Sequence, residues 1–278
     1  MAGLYLNRSL VLESNASLAD ADYVLLGVPF DGTCTYRPGA RFAPLEVRRE
    51  FLELEKESGG KCFFDLKFHD AGNVDVVYGN AAKTLERVGE TVGEIFYKNA
   101  GAKLITLGGE HLITLPVVKA LSQRRRFSVV SLDAHLDLKD EYVGERLSHS
   151  SVMRRIHEMG IGVAEIGVRT FDKGELEYAK KSGIRFCGTD VDDVEKVLAK
   201  VKGDVYLSID FDCLDPAYAP GVGTPEPMGL STTQLSGVVQ KLRERTVALD
   251  LTEICPPFDC SSITSVAAAR ILLDFLLS

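Results

Sequence analysis

A chain of 278 residues with 45% hydrophobic and 26% charged residues has the composition of an ordinary soluble globular protein, and its core needs no disulfide staples. Its formal net charge of -8 argues against a general phosphate-backbone binder, which needs a basic footprint. The same balance suits a cationic ligand, and no nucleic-acid partner is expected.

The N-terminus shows no basic region followed by a long apolar run, so no signal peptide is expected. The sequons Asn7-Arg8-Ser9 and Asn15-Ala16-Ser17 then read as chance matches. Residues 23–28 form the first short apolar, β-branched run. Leu85, Val88, Val92, Ile95 and Phe96 follow at spacings that make one face of a helix. Further runs lie at 104–107, 127–132, 163–168, 205–209 and 247–251. These runs are almost uninterrupted, as parallel strands covered on both faces should be. Their alternation with helical stretches predicts an α/β sandwich. No repeat, low-complexity segment or linker interrupts the chain, so 1–278 reads as a single domain. The apolar run 263–277 is too short for a membrane span and contains Arg270 and Asp274. It predicts a buried helix, and no membrane partner is expected. Cys34, Cys62, Cys187, Cys213, Cys255 and Cys260 form no C-x-x-C pair. Reduced thiols in a cytoplasmic protein are the expectation.

The polar motifs follow the strand-like runs. His111 comes after the run ending at Leu107, and Asp133 comes directly after Leu132. Arg169 follows Val168, Asp210 follows Ile209, and Glu253 lies two residues past Leu251. Ligands of an open parallel sheet bind at the carboxyl ends of its strands, so these groups should share one edge. Extended chain would let Asp133, His135 and Asp137 converge, and likewise Asp210 with Asp212. Gly108-Gly109 before His111 allows a tight turn. A lone Asp-x-Asp pair is most often a surface or calcium-loop feature, and a lone histidine is most often structural. Two histidines and four aspartates delivered by three such segments are instead the donor set of a two-metal hydrolytic site. Two divalent ions would cancel four carboxylates that otherwise repel one another. Oxygen and imidazole donors without thiolate favour an ion such as Mn²⁺.

With these motifs the sequence resembles the ureohydrolase family of arginases, agmatinases and their relatives over nearly its whole length. The resemblance rests on Gly27-Val28-Pro29, Arg37-Pro38-Gly39-Ala40-Arg41 with Pro44 and Arg48, and His69-Asp70-Ala71-Gly72-Asn73-Val74. It continues in Ile166-Gly167-Val168-Arg169, in the stretch from Ser208 to Pro216 with 221–227, and in Glu253-Ile254-Cys255-Pro256. It implies a three-layer α/β/α sandwich with a central, mainly parallel sheet and two Mn²⁺ ions. It assigns His111, Asp133, Asp137 and Asp210 to one ion, and His135, Asp133, Asp210 and Asp212 to the other. It further implies that a metal-bridging hydroxide attacks the guanidinium carbon, with Asp137 orienting it. Glu253 would bind the guanidinium, and His149 would carry a proton to the leaving amine.

The pattern looks closest to agmatinase, which converts agmatine to putrescine and urea. A small cationic guanidino substrate and a homo-oligomer, trimer or hexamer, are the implied partners. Arginase or guanidinobutyrase activity is the alternative, followed by a formimidoylglutamase or a non-catalytic metal-binding regulator. Glu110 stands where the family usually has aspartate, and Ser150 follows His149 where it often has glycine. Lys139 occupies the place of an arginase asparagine, whereas Asp172 resembles an arginase position that contacts the α-amino group. A lysine facing the substrate tail would attract a carboxylate, while Asp140, Glu141, Glu145 and Asp172 would favour an ammonium. Arg169 is expected to anchor carboxylates, 221–227 to shape a rigid loop, and His69 and Asp70 to pack loops.

Overall fold

The computed structural model describes residues 5–7 and 11–277; Arg8 and Ser9 of the first sequon lie outside them. In chain order the strands are β1 (Leu6–Asn7), β2 (Tyr23–Gly27), β3 (Glu57–Ser58), β4 (Lys61–Cys62), β5 (Phe68–Val74) and β6 (Lys103–Leu107). They continue as β7 (Ser128–Leu132), β8 (Val163–Ile166), β9 (Arg185–Cys187), β10 (Val205–Asp210) and β11 (Thr246–Thr252). The α-helices are α1 (Ala43–Glu53), α2 (Ala81–Lys98), α3 (Thr114–Ser122), α4 (Val152–Glu158), α5 (Lys173–Ser182), α6 (Val191–Leu198), α7 (Thr232–Leu242) and α8 (Ile263–Leu277).

Nine strands form one sheet in the order β1-β5-β2-β6-β11-β10-β7-β8-β9, and β3 pairs with β4 in a separate ribbon. Every pairing in the large sheet is parallel except that of β1 with β5. Each predicted apolar run is a strand of this sheet. Alternate residues of each strand serve opposite faces. Leu25, Ile105, Leu207 and Leu249 pack with α1, α6, α7 and α8. Val24, Leu104, Val129 and Tyr206 pack with α2, α3 and α4. The architecture is thus the three-layer α/β/α sandwich, and α8 lies largely in its core; only with the 3₁₀ turn before it, as Cys260–Leu277, does it form the one stretch among the described residues that is long and apolar enough to cross a membrane.

Strand order positions the site. After β6 the chain does not continue to a neighbouring strand; it crosses to β7, and β10 and β11 later fill the space between. The crevice at such a switch in an open parallel sheet is where ligands bind. The four adjacent strands β6, β11, β10 and β7 are those followed by His111, Glu253, Asp212 and Asp133.

Candidate metal centre

At the end of β6 the glycine pair serves close approach rather than a left-handed turn. A Cβ on Gly109 would lie 1.7 Å from the Phe30 carbonyl oxygen, and one on Gly108 would lie 2.8 Å from Thr252. This lets the loop after β2 pack against the turn that carries His111. The segment after β7 differs from the extended chain expected. Asp137 has φ +50, a left-handed conformation, and this turn brings its carboxylate back toward His111. Asp212 reaches the site from a 3₁₀ turn, Phe211–Cys213, rather than from strand alternation. Glu253 is also left-handed, at φ +62. Non-glycine residues persist there only when their surroundings hold them, and functional sites are where such strain collects.

Three of the aspartates share one design. Asp133 accepts the His135 backbone N–H at 2.7 Å, Asp212 that of Ala134 at 3.0 Å, and Asp210 that of Asp212 at 2.9 Å. Each bond uses Oδ1 and leaves Oδ2 turned toward an imidazole. His111 Nδ1 lies 3.1 Å from Asp133, 3.2 Å from Asp137 and 3.4 Å from Asp210. His135 Nδ1 lies 3.0 Å from Asp212 and 3.4 Å from Asp133. Asp133 therefore belongs to two ligand groups, His111–Asp133–Asp137 and Asp133–His135–Asp212.

Outer partners orient both rings. Ser208 donates to Asp250 at 2.7 Å, so its lone pairs face His111 Nε2 at 2.9 Å. Nε2 then carries the hydrogen, and Nδ1 keeps its lone pair for the cluster. Asp250 also accepts from Tyr206 and Thr114. Glu226 stands 3.7 Å from His135 Nε2 and turns Nδ1 inward. His111 Nδ1 and Asp133 Oδ2 are nevertheless buried without a well-aligned hydrogen-bond partner. Buried polar atoms in that condition are costly unless a ligand takes them, so the donor set fits a divalent cation.

The centre opens into a cavity of about 370 Å³, lined by His135, Asp137, Asp210, Asp212, Glu253 and His149. Its outer wall includes Tyr36, Lys139, Tyr142, Phe171, Asp172 and Glu175. A family model for the arginase family matches residues 21–278. The chain belongs to the arginase family. It is 38% identical to an agmatinase of Pyrococcus horikoshii, over 97% of this chain and 96% of that protein. It is 31% identical to a guanidinobutyrase of Pseudomonas aeruginosa, over 95% and 88% respectively. The solved agmatine ureohydrolase of Thermoplasma volcanium superposes with a TM-score of 0.87 at 30% identity, covering 95% of this chain and 91% of that one.

As a member of the arginase family the chain is an amidinohydrolase-type enzyme, and its centre is electrostatically primed for cations. Burial, then the Asp133 charge, pushes Asp137 up to about 7. Burial, then Glu110, pushes Glu253 up to about 8. Asp210 stands well above the carboxylate range through burial and the charges of Asp212 and Asp133. Burial opposes a charge on His111, yet Asp133 and Asp137 hold it well above its ordinary value. Protons thus occupy positions that a divalent cation must clear. Raised carboxyls hold those protons until pH passes their values. Affinity for a divalent cation should therefore rise with pH, steeply across about pH 6 to 8 where Asp137 gives up its proton. Metal-buffered titrations check this; affinity that is flat or falling over that window would contradict it.

Some residues behave differently from expectation. Among the described residues Arg169 holds backbone carbonyls rather than carboxylates. Its guanidinium gathers the backbone carbonyls of Gly167, Asp212, Cys213, Leu214, Glu226 and Pro227. It thereby ties the Asp212 turn to the 221–227 loop. That loop is more than a spacer, since it carries Glu226 to His135. Asp70 sits in β5 and pairs with the buried Arg48, while His69 contacts the Ala16 carbonyl at 3.0 Å. Ser208 and Glu226 lie inside the family-like stretches 208–216 and 221–227 but carry no sign there of an orienting role, and Asp250 and Thr33 stand outside every motif.

Proposed function

We propose that the chain hydrolyses the guanidino group of agmatine to putrescine and urea, using two Mn²⁺ ions. His111, Asp133, Asp137 and Asp210 would hold one, and His135, Asp133, Asp210 and Asp212 the other. When bound, such ions pull the pKa of a water down toward ~7. The protein's own groups do the rest. Asp137 orients the attacking water. Glu253 accepts the guanidinium N–H groups in charge-assisted hydrogen bonds. Its Oε1 is pinned by the His111 backbone N–H at 2.8 Å. A Cβ on Gly223 would come within 3.1 Å of its Oε2, so glycine keeps that oxygen approachable. Burial, the larger influence, pushes His149 down to about 4 despite a hydrogen bond to Thr33. A neutral imidazole is ready to take a proton from the water and give it to the leaving amine.

The choice of agmatine rests on one observation, the state of Lys139. Its ammonium donates to Asp172 at 2.6 Å and to Glu175 at 2.9 Å. Asp172 and Glu175 are themselves fixed, because they form the capping box that starts α5. The lysine therefore has no free charge for a carboxylate tail, and one positive charge faces two negative ones. This supports an ammonium tail over the tail of 4-guanidinobutyrate. Urea release from agmatine, arginine and 4-guanidinobutyrate, measured side by side with Mn²⁺, tests the reading; preference for a carboxylate-bearing substrate would overturn it. Lys139→Met should free both carboxylates and shift kcat/KM about 5-fold further toward agmatine over 4-guanidinobutyrate. That factor corresponds to ~1 kcal/mol for a partly exposed charge pair. An unchanged ranking would remove Lys139 from the specificity argument.

The reading extends to a single-domain, cytoplasmic homo-oligomer, trimer or hexamer. Six free cysteines support a reducing compartment. An exposed Tyr97 and an apolar groove lined by Leu85, Leu115 and Pro116 support association.

A further inference from the structure

Glu110 belongs neither to the carboxylate groups that could hold a metal nor to the cavity lining. Its side chain is fully buried, and no ion pair involves it among the described residues. A buried carboxylate without a cation needs hydrogen bonds to persist. Glu110 takes them chiefly from Thr33, with the Cys34 backbone as a lesser donor. Oε2 accepts the Thr33 backbone N–H at 2.7 Å, and Oε1 accepts the Thr33 hydroxyl. With its proton committed to Glu110, the hydroxyl oxygen of Thr33 has its lone pairs free for His149. It accepts the His149 backbone N–H at 3.2 Å and lies 3.4 Å from ring Nδ1. Tyr142 meets the same ring edge-on, with centroids 5.7 Å apart and planes at 86°. The 3₁₀ turn that begins at His149 is closed by a Ser148–Ser151 capping box.

We propose that Glu110 and Thr33 are a positioning pair that presents His149 to the substrate. The inference rests on the reading of His149 as the proton carrier. The carboxylate–hydroxyl–imidazole order repeats the one behind His111, where Asp250 and Ser208 set the ring. In both cases a buried carboxylate claims the hydroxyl proton, and the hydroxyl oxygen then accepts from the imidazole. Nδ1–H toward Thr33 leaves Nε2 as the free nitrogen of His149. Glutamate rather than aspartate at position 110 has a geometric reason. A carboxylate drawn back by one carbon–carbon bond, about 1.5 Å, would lose its simultaneous grip on both Thr33 donors. The pair also couples two parts of the site, because Glu110 directly precedes His111 and Thr33 lies on the loop after β2.

The test compares the Mn²⁺-loaded wild type with Thr33→Val, Thr33→Ser and His149→Ala. Thr33→Val keeps the side-chain shape and removes the hydroxyl. It should lower kcat on agmatine roughly 10- to 100-fold, part of the ~10²–10⁴-fold a positioned acid–base group supplies. KM and bound Mn²⁺ should stay within about twofold, as expected when binding is untouched and only the reacting geometry suffers. Thr33→Ser should restore most of kcat, and added imidazole should partly rescue Thr33→Val. A crystal structure of Thr33→Val should show the His149 ring turned away from its wild-type place. Equal losses in the serine and valine variants, or a rise in KM alone, would overturn the pair in favour of simple packing. The two possible failures separate cleanly. Wild-type turnover by His149→Ala sinks the proton-carrier reading, whereas an unmoved ring in Thr33→Val sinks the positioning pair.

Discussion

Asp133→Asn is expected to lose Mn²⁺ at both positions and to lower urea release by well over 100-fold. Asp133 is the residue common to both ligand groups, with Oδ2 toward His111 and Oδ1 toward His135. Burial opposes its ionisation, yet His111 and His135 hold its carboxyl below the usual carboxylate range. It is therefore the anionic anchor of the cluster. Asparagine keeps the shape and can keep the bond to the His135 backbone N–H, but it cannot supply the charge. Loss of a mere outer partner of a metal ligand costs ~10–100-fold, so loss of a shared inner ligand must cost more. Metal content by elemental analysis and urea release should fall together. Retention of two equivalents of Mn²⁺ with full activity would sink the assignment of Asp133.

Arg48→Met is expected to destabilise the fold by about 3–5 kcal/mol, the usual result of stranding one partner of a buried ion pair. Arg48 lies on α1 and Asp70 on β5, and both side chains are completely buried. The guanidinium is held in a fork by Asp70 at 2.7 and 2.8 Å, by Asn73 at 2.8 Å and by the Pro44 carbonyl at 3.0 Å. Methionine fills much of the volume but takes the buried cation away from the Asp70 carboxylate, which also accepts the Leu12 and Gly72 backbone N–H groups at 2.8 and 2.9 Å. In a chain of this size the loss should lower Tm by roughly 6–15 °C. Arg48→Met combined with Asp70→Leu should recover part of it, because no buried charge then remains. Thermal unfolding within about 2 °C of wild type for the single variant would show that the network carries little stability.

The two halves of that network also show what the sequence conceals. The runs that became β2, β6, β7, β8, β10 and β11 are apolar because both faces of a parallel strand are covered, and this makes them easy to read. Strand β5 carries His69, Asp70 and Asn73, so it has no apolar run to detect. Asp70 and Asn73 are satisfied by Arg48, which lies on another element and leaves no local periodicity. The same holds at the site. His111, Asp133, His135, Asp137, Asp210, Asp212 and Glu253 all stand at strand ends in short motifs, and their residue types declare cation chemistry. The groups that orient them do not. Thr33 and Glu110 are 77 residues apart, and Thr33 and His149 are 116 apart. Glu226 reads as loop sequence until the fold sets it beside His135. Lys139 is the clearest case. Its charge is plain in the sequence, but its effect on the tail depends on the capping box of α5, which claims it.

The most direct test of the central claim is a titration of the metal-stripped chain with Mn²⁺, following urea release from agmatine against bound metal. The account predicts negligible turnover without metal and a rate that saturates at two bound ions per chain. Saturation at one ion, or no urea at any Mn²⁺ loading, would contradict it.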